Sequence, residues 1–143
     1  MGELPTKEPF AACKNACNLL AEAAYYEARG EGDKGMLAVM AVINARAEHS
    51  SRRWPNTIEG VVKQRCEFSY RCDGSMKRRK DLVQWERAEK LAWWYLNTKH
   101  DVGFVAHYYH KKGIDRIPKF SKTEKYVGRV GNHVFYSCVN KYC

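Results

Sequence analysis

Residues 21–46 read AEAAYYEARGEGDKGMLAVMAVINAR and contain the signals that decide the fold. The first part places small and apolar residues at spacings of three and four, which predicts an amphipathic helix. Gly30 and Gly32 then end this helix. The second part is apolar on nearly every side over residues 36–43, which is typical of a buried helix. The stretch therefore predicts two consecutive helices, the second at the centre of the domain.

The remaining sequence predicts two more helices and a small hairpin, which makes the fold class mainly α (α+β). A loop-like segment with an Asp-Gly turn separates the last two helices. The predicted elements are a first helix over about residues 9–28, a second over 33–48 with Asp33 as N-cap, a short helix capped by Thr57, a helix over 81–98 with Asp81 and Gln84 as a capping box, and β-strands at 126–127 and 133–136.

The composition is that of an ordinary globular domain. The chain has 143 residues, of which 45% are hydrophobic and 29% charged, so disordered and fibrous classes are excluded. This length predicts a single domain, at residues 10–143, after a polar lead-in at residues 1–9. The start shows no basic region followed by an apolar one, so no signal peptide is expected. No apolar run is long enough to span a bilayer.

The charge balance favours polyanionic partners. The net charge is +9 and the pI is near 9.3. A bacterial wall, rich in carboxylates and phosphates, and nucleic acid both fit such a charge, and so does a solvated face that only aids solubility. The basic pairs at residues 52–53 and 78–79 lie in different loops and not along one helix. This arrangement argues against a nucleic-acid groove reader.

Six cysteines occur as three close pairs, Cys13 with Cys17, Cys66 with Cys72, and Cys138 with Cys143. An even count indicates disulfides in an oxidising compartment. Structural zinc is disfavoured because no Cys-x-x-Cys spacing and no suitably spaced histidine pair accompany the cysteines. Cys13 and Cys17 stand four apart in the predicted first helix, which is a marginal geometry for a bridge. Pairing with distant cysteines therefore stays open.

Glu27 is the strongest candidate for catalysis. The stripe of the first helix places it on the apolar face, beside Ala23 and Ala24. A carboxyl held there loses contact with water, which favours its neutral form and raises its pKa. Such a group donates a proton near neutral pH, as cleavage of a glycosidic bond requires. The alternative is a solvated or salt-bridged glutamate at a helix end. Glu31, past the first glycine, is expected to be exposed or paired with Arg29 or a helix end.

Two other segments carry side chains that suit a sugar-binding cleft. The loop that contains Phe68 and Ser69 also offers Asp73 as a second carboxylate, although an Asp-Gly pair is more often only a turn. His107 and Tyr108 stand next to an apolar stretch, where aromatic faces stack on pyranose rings and polar tips bind hydroxyl groups. The alternative for this pair is a core tyrosine beside a partly buried histidine.

Five stretches occur in an order that is typical of one family. They are EAAYYEARGE at 22–31 with Gly35 and AVINAR at 41–46, WPNTIEGVV at 54–62, CEFS at 66–69 with Asp-Gly at 73–74, His-Tyr at 107–108, and GNHVFY at 131–136. Together they resemble the SleB-like cell wall hydrolases, which include spore-cortex-lytic enzymes and phage lysis proteins. Each motif alone is weak, whereas five in order are a strong signal.

The resemblance implies a compact, lysozyme-like domain that cuts peptidoglycan between N-acetylmuramic acid and N-acetylglucosamine, as a lytic transglycosylase or muramidase. The family's essential glutamate corresponds to Glu27. In the transglycosylase reaction the 6-hydroxyl of muramic acid, and not water, closes on the anomeric carbon, so no second carboxylate is obligatory. We expect no metal, no organic cofactor, no nucleic acid, no membrane anchor and a monomer. The predicted substrate-binding residues are Tyr26, Glu31, Phe68, Ser69, Asp73, His107 and Tyr108.

The departures from the family suggest how the protein is used. Tyr26 stands where many members have glycine, which changes the cleft beside Glu27, and Glu67 stands where glutamine is usual. A basic domain without a signal peptide resembles a phage endolysin, which waits in the host cytoplasm before release to the periplasm or wall, or travels in the virion. Two alternatives remain, a non-catalytic basic module that binds wall polymer or nucleic acid, and a cysteine-nucleophile amidase or peptidase that uses Cys66 and His107.

Overall fold

The computed structural model describes residues 12–49, 51, 53–98, 103–114 and 118–138. Five α-helices and three strands lie in these residues, with single 3₁₀ turns at Arg29–Glu31, Ser69–Arg71 and Ser75–Lys77. The predicted mainly helical class is confirmed. In chain order the elements are α1 (Ala16–Ala28), α2 (Gly32–Glu48), α3 (Ile58–Lys63), α4 (Leu82–Thr98), β1 (Tyr108–Lys111), α5 (Phe120–Thr123), β2 (Lys125–Val130) and β3 (His133–Ser137).

The first helix begins later than its apolar stripe predicts. Residues 13–15 are not helical, and Asn15 adopts a positive φ of 56° immediately before α1. This turn brings Cys13 and Cys17 together in a disulfide, with their Cα atoms 5.0 Å apart. The prediction of one continuous helix through both cysteines is therefore wrong, because the cross-link closes around an irregular turn. The predicted helical residues 9–11 lie outside the described residues.

The other cysteines are also cross-linked. Cys66 and Cys72 form a disulfide across the loop that follows α3, and Cys138 is disulfide-bonded as well. The predicted preference for disulfides over structural zinc is thus confirmed for the described cysteines. Cys66 has no free thiol, which contradicts the alternative in which it acts as a nucleophile.

The central helix α2 is buried on both sides, as its apolar sequence predicts. Met40 and Ile43 face the core formed by α1 and α4, whereas Ala38 and Val42 pack against Phe135 of the sheet. Its predicted N-cap is wrong. Asp33 lies inside the first turn, where its Oδ1 accepts a hydrogen bond of 2.9 Å from Nε of Arg87 on α4.

The caps of α3 and α4 follow the sequence closely. Thr57 Oγ1 accepts a hydrogen bond from the Gly60 N–H at 3.0 Å, as predicted. Asp81 Oδ1 accepts from the N–H groups of Val83 and Gln84 at the start of α4. In the predicted capping box the Gln84 side chain would accept the Asp81 N–H. Here the hydroxyl of Tyr25 accepts this N–H instead, at 2.7 Å. This bond joins the start of α4 to α1.

The sheet is antiparallel, with the order β1-β3-β2. The predicted hairpin of β2 and β3 is confirmed, and a bulge interrupts its register between Tyr126 and Gly128. The third strand, β1, lies in the segment that begins with His107 and Tyr108, for which the sequence predicts no particular element. It pairs with β3 so that Tyr108 stands opposite Tyr136 and Tyr109 opposite Phe135. Among the described residues, no helix is both long and apolar enough to cross a membrane.

Candidate active site

Glu27 lies in the last turn of α1 and is partly buried against the sheet. Burial raises the pKa of its carboxyl group, because the charged form is poorly solvated there. The hydroxyl of Tyr109 on β1 donates a hydrogen bond to Glu27 Oε1. This bond opposes the effect of burial on the pKa but does not overcome it. The prediction that the apolar stripe raises the pKa of Glu27 is therefore supported.

Tyr109 holds the carboxyl group in one orientation. Its ring packs edge-on against His133 at 5.1 Å and lies 5.6 Å from the ring of Phe135. Burial and the neighbouring Glu27 raise the pKa of Tyr109 well above its ordinary value. The phenol therefore stays protonated and acts as a donor, which leaves Glu27 Oε2 as the oxygen free to carry a transferable proton.

Three charged side chains act on Glu27 more weakly. Lys111 and Arg46 lower the pKa of Glu27, while Asp73 raises it. Asp73 is exposed in its loop, where its Oδ1 accepts the Ser75 N–H at 2.9 Å. The contacts with Ser75 lower the pKa of Asp73. It is therefore an ionised neighbour of Glu27, and it is not a second proton donor.

Glu27 opens into a cleft of about 340 Å³ between α1 and the sheet. The end of α1 and the following 3₁₀ turn form one wall. The end of β1 and the turn between β2 and β3 form the other. The residues that line the cleft are Tyr26, Glu27, Ala28, Arg29, Gly30, Glu31, Lys111, Asn132 and His133.

Glu31 joins the two walls of this cleft. Its Oε1 accepts the Asn132 N–H of the hairpin turn at 2.7 Å. Two glycines make room for its side chain: a Cβ at Gly35 would lie 2.2 Å from Glu31 Cβ, and a Cβ at Gly131 would lie 3.1 Å from Glu31 Cδ. The predicted exposure of Glu31 and its pairing with Arg29 or a helix end are wrong. The hairpin turn covers the carboxylate, and Glu31 makes no side-chain cap hydrogen bond at the start of α2.

Arg46 forms a buried cationic centre under β1. Its Nε donates to the backbone oxygen of His107 at 2.7 Å, and its guanidinium lies over the rings of Trp54 and Tyr108. Glu67, which stands where the family usually has glutamine, approaches Arg46 to 3.4 Å. Burial lowers the pKa of Arg46. These contacts hold the residue before β1 in place, and with it the strand that carries Tyr109.

Tyr26 packs against the loop of residues 66–80. Its ring stacks on Tyr70, with the centroids 4.6 Å apart and the planes 14° from parallel. The Tyr70 hydroxyl donates to Glu22 of α1 at 2.7 Å. Tyr26 shapes the cleft wall, as its position beside the glutamate predicts.

The structure places the other predicted substrate-binding residues away from the lining of this cleft. His107 and Tyr108 are each 6% exposed, and the His107 ring accepts the Cys138 N–H at 3.0 Å and stacks on Trp54. Phe68 is buried at 3% exposed, and Ser69 is exposed in the loop. For His107 and Tyr108 the geometry matches the alternative of core side chains. A substrate contact by any of these residues stays a prediction.

Sequence reasoning missed Tyr109, Arg46 and Lys111. The signal for Tyr109 was present, because side chains alternate between the two faces of a strand. Tyr108 faces Trp54 and Phe120, so its neighbour Tyr109 faces the opposite side, toward Glu27. Choosing between the two tyrosines required the pairing of β1 with β3. Among the described residues, no group of three or more His, Cys, Asp or Glu side chains could hold a metal ion.

Comparison with known proteins identifies related sequences. Residues 30–136 match the family model described as Cell Wall Hydrolase. The spore cortex-lytic enzyme of Bacillus cereus is 30% identical over 130 residues, which cover 91% of this chain and 47% of that protein. The spore cortex-lytic enzyme of Halalkalibacterium halodurans is 29% identical over 133 residues, which cover 93% of this chain and 38% of that protein. The chain thus spans about half or less of these relatives.

Two solved structures share the fold. The catalytic domain of the germination-specific lytic transglycosylase SleB from Bacillus anthracis is 28% identical, with a TM-score of 0.66 over 94% of this chain and all of that domain. The catalytic domain of the Bacillus cereus SleB protein is 29% identical, with a TM-score of 0.65 over 85% of this chain and 89% of that one.

Proposed function

The chain belongs to the cell wall hydrolase family, and from this premise we propose that it cleaves the glycan strand of peptidoglycan between N-acetylmuramic acid and N-acetylglucosamine. The observation that carries the proposal is the state of Glu27. A carboxyl group with a raised pKa, oriented by Tyr109, opens into a cleft between α1 and the sheet. This is the arrangement that a general acid for glycoside cleavage requires.

The proposed reaction begins with proton transfer from Glu27 Oε2 to the glycosidic oxygen. The bond between that oxygen and the anomeric carbon of muramic acid breaks as positive charge develops on the sugar ring. In the lytic transglycosylase route the 6-hydroxyl of the same muramic acid forms the new bond to the anomeric carbon. Its proton returns to the Glu27 carboxylate, so the acid is regenerated and a 1,6-anhydro end is produced. In the muramidase route, water takes the place of the 6-hydroxyl.

The surroundings of Glu27 favour the first route. Of the carboxylates near Glu27, Asp73 does not line the cleft, and Glu31 accepts the Asn132 N–H of the hairpin turn. An intramolecular hydroxyl needs no second carboxylate to activate a water molecule. The similarity to the catalytic domain of the Bacillus anthracis lytic transglycosylase SleB supports the same route.

The central test replaces Glu27 by glutamine, which keeps the shape and the acceptor for Tyr109 but carries no transferable proton. We expect the rate of release of soluble fragments from purified peptidoglycan to fall by about 10²–10⁴-fold. Glu59→Gln is the matched control, because Glu59 is an exposed glutamate on α3. Equal rates for native protein and Glu27→Gln would disprove the assigned role of Glu27.

Mass spectrometry of the released fragments separates the two routes. Transglycosylation leaves 1,6-anhydromuramic ends, which are lighter by one water than the reducing ends left by hydrolysis. We expect anhydro ends from the native protein. Reducing ends alone would establish the muramidase route, and release of free stem peptides without new glycan ends would overturn glycan cleavage altogether.

We further propose that the enzyme acts at the bacterial wall and not inside the cytoplasm. The disulfides fit an oxidising environment, and the net charge of +9 would hold the protein on an anionic wall. The role of phage endolysin, with release from the host cytoplasm or delivery in the virion, and the monomeric state stay predictions from the sequence. Lysis of host cells on co-expression with a pore-forming protein would test the endolysin role.

A further inference from the structure

A second pocket, of about 170 Å³, adjoins the cleft of Glu27. The two concavities share Tyr26 and Arg29 in their walls. The far side of the second pocket consists of the basic run Arg78, Arg79 and Lys80. We call this concavity, which is lined by the four cations Arg29, Arg78, Arg79 and Lys80 and by Tyr25 and Tyr26, the basic pocket.

The basic pocket is assembled by contacts between distant parts of the chain. Tyr25 on α1 accepts the Asp81 N–H through its hydroxyl, and the same hydroxyl accepts a hydrogen bond from Arg29. The basic run therefore ends against α1, next to Arg29. At its other end Gly74 turns the loop with a left-handed φ of 88°, and the chain then becomes extended at Arg78. The cations of two separate segments thus converge on one concavity.

The positive charge of the basic pocket is largely uncompensated. Among the described residues, no carboxylate lines the pocket, and none forms an ion pair within 4.0 Å with any of its four cations. Arg29 lies 4.8 Å above the ring of Tyr25, and Lys80 lies 4.4 Å from the ring of Trp85. Ring contacts do not neutralise charge. Two acidic groups act on these cations from outside the pocket lining, Asp73 on Arg78 and Glu89 on Lys80.

We propose that the basic pocket binds the carboxylates of a peptide attached to the muramic acid next to the cleavage site. This inference rests on the proposed function, because the pocket shares Tyr26 and Arg29 with the wall of the cleft that would hold the glycan. In peptidoglycan each stem peptide branches from the lactyl group of a muramic acid and carries free carboxylates. A group covalently joined to a bound sugar is held close to a pocket that adjoins the sugar site. The phosphates of wall teichoic acids have the same charge, and the test distinguishes them.

The experiment uses two glycan substrates from wall freed of teichoic acids. One carries uncrosslinked stem peptides, and the other has been stripped of them by an amidase. The pocket variant is Arg78→Gln with Arg79→Gln, at two exposed positions. The control variant is Arg65→Gln with Arg129→Gln, which removes equal charge from exposed sites outside the pocket. KM and kcat are measured for each protein on each substrate at low and at moderate salt.

We expect the pocket variant to raise KM on peptide-bearing strands by about threefold to tenfold, as loss of two partly screened ion pairs would. Its KM on stripped strands should stay within about twofold of the native value, and the control variant should match native protein on both substrates. Equal KM of the native protein for both substrates would overturn the inference, as would equal losses in the two double variants.

Two further measurements separate this inference from its premise and from the phosphate alternative. Sedimentation of Glu27→Gln protein with each substrate reports binding without cleavage. If the native protein cleaves neither substrate while the Glu27→Gln protein binds peptide-bearing strands preferentially, the proposed reaction is refuted and the basic pocket is still supported. Wall that retains its teichoic acids serves as a third substrate for sedimentation. If this wall alone is bound in preference to stripped strands, the pocket binds phosphate and the assignment to stem peptides is wrong.

Discussion

The contact between Tyr109 and Glu27 sets two properties of the proposed acid at once. The hydroxyl of Tyr109 donates to Oε1, so Oε2 is the oxygen that would donate the proton in the proposed reaction. This hydrogen bond also lowers the pKa of Glu27, against the larger effect of burial. Because an acid catalyst must be protonated, the balance between these two effects sets the pH above which activity falls.

Tyr109→Phe removes the donor and keeps the ring. The hydrogen bond stabilises the ionised carboxylate, so its loss raises the pKa of Glu27 further. A bond of about 1 kcal/mol corresponds to about 0.5–1 pH unit, so the alkaline limb of kcat/KM should move upward by that amount. The pH profile of muropeptide release measures it. We also expect a lower maximal rate, because the carboxyl group is less firmly oriented.

Tyr108→Phe is the matched control, since Tyr108 neighbours Tyr109 on β1 but faces Phe120 and Trp54. Removal of the Tyr108 hydroxyl should leave the alkaline limb of kcat/KM at the pH seen for the native protein. A limb that moves in both variants, or in neither, would show that the bond from Tyr109 does not set the pKa of Glu27.

At the scale of elements, Glu31 ties the connection between α1 and α2 to the turn between β2 and β3. The carboxylate fits against this turn because residue 131 has no side chain. Gly131 also has a positive φ of 56°, which residues other than glycine rarely adopt. The two walls of the cleft are thus held at a set separation by one side chain and one backbone N–H.

Gly131→Ala should therefore destabilise the protein for two reasons. Alanine adopts the left-handed conformation at a cost of about 1–2 kcal/mol. The Glu31 carboxylate must also shift by a few tenths of an ångström, which weakens its hydrogen bond to the Asn132 N–H and costs about 1 kcal/mol more. Gly113→Ala is the control, because Gly113 has φ of 78° and nothing within 4 Å of its added Cβ. Denaturant unfolding gives both values, and an equal loss in the two variants would refute the steric part of the argument.

At the scale of the whole molecule, His107 joins the helical layer to the sheet. Its backbone N–H donates to Tyr136 of β3 at 2.8 Å, its backbone oxygen accepts from Arg46 of α2, and its ring accepts the Cys138 N–H. Burial lowers the pKa of His107 from 6.5 to about 4, and the nearby His49 and Arg46 act in the same direction. The folded protein therefore requires a neutral His107.

This requirement predicts acid sensitivity. Between the two pKa values the unfolded chain binds a proton that the folded protein does not, so the free energy of unfolding falls as pH drops from about 6.5 toward 4. The contribution of His107 is on the order of 2–3 kcal/mol. His107→Gln keeps an acceptor for Cys138 but does not titrate, so its stability should fall less between pH 7 and pH 4.5 in denaturant unfolding. Equal losses in native protein and variant would contradict this role for His107.

Much of the helical layer could be predicted because it depends on local patterns. The apolar surface of α2, the caps Thr57 and Asp81, and the hairpin of β2 and β3 follow from the order of residues along the chain. The start of α1 could not be predicted this way. There the disulfide and the left-handed Asn15 replace the helical turn that the apolar spacing indicates.

Local patterns along the chain are sufficient to predict the mainly helical class and the family resemblance. Helix periodicity and the ordered motifs together single out Glu27 as the candidate acid. Which groups surround Glu27 depends on tertiary packing. Tyr109 meets Glu27 through the register of β1 with β3, and Glu31 is covered by a turn about a hundred residues later in the chain. The basic pocket likewise joins α1 to a distant loop. Such contacts depend on how elements pack, which no local pattern encodes.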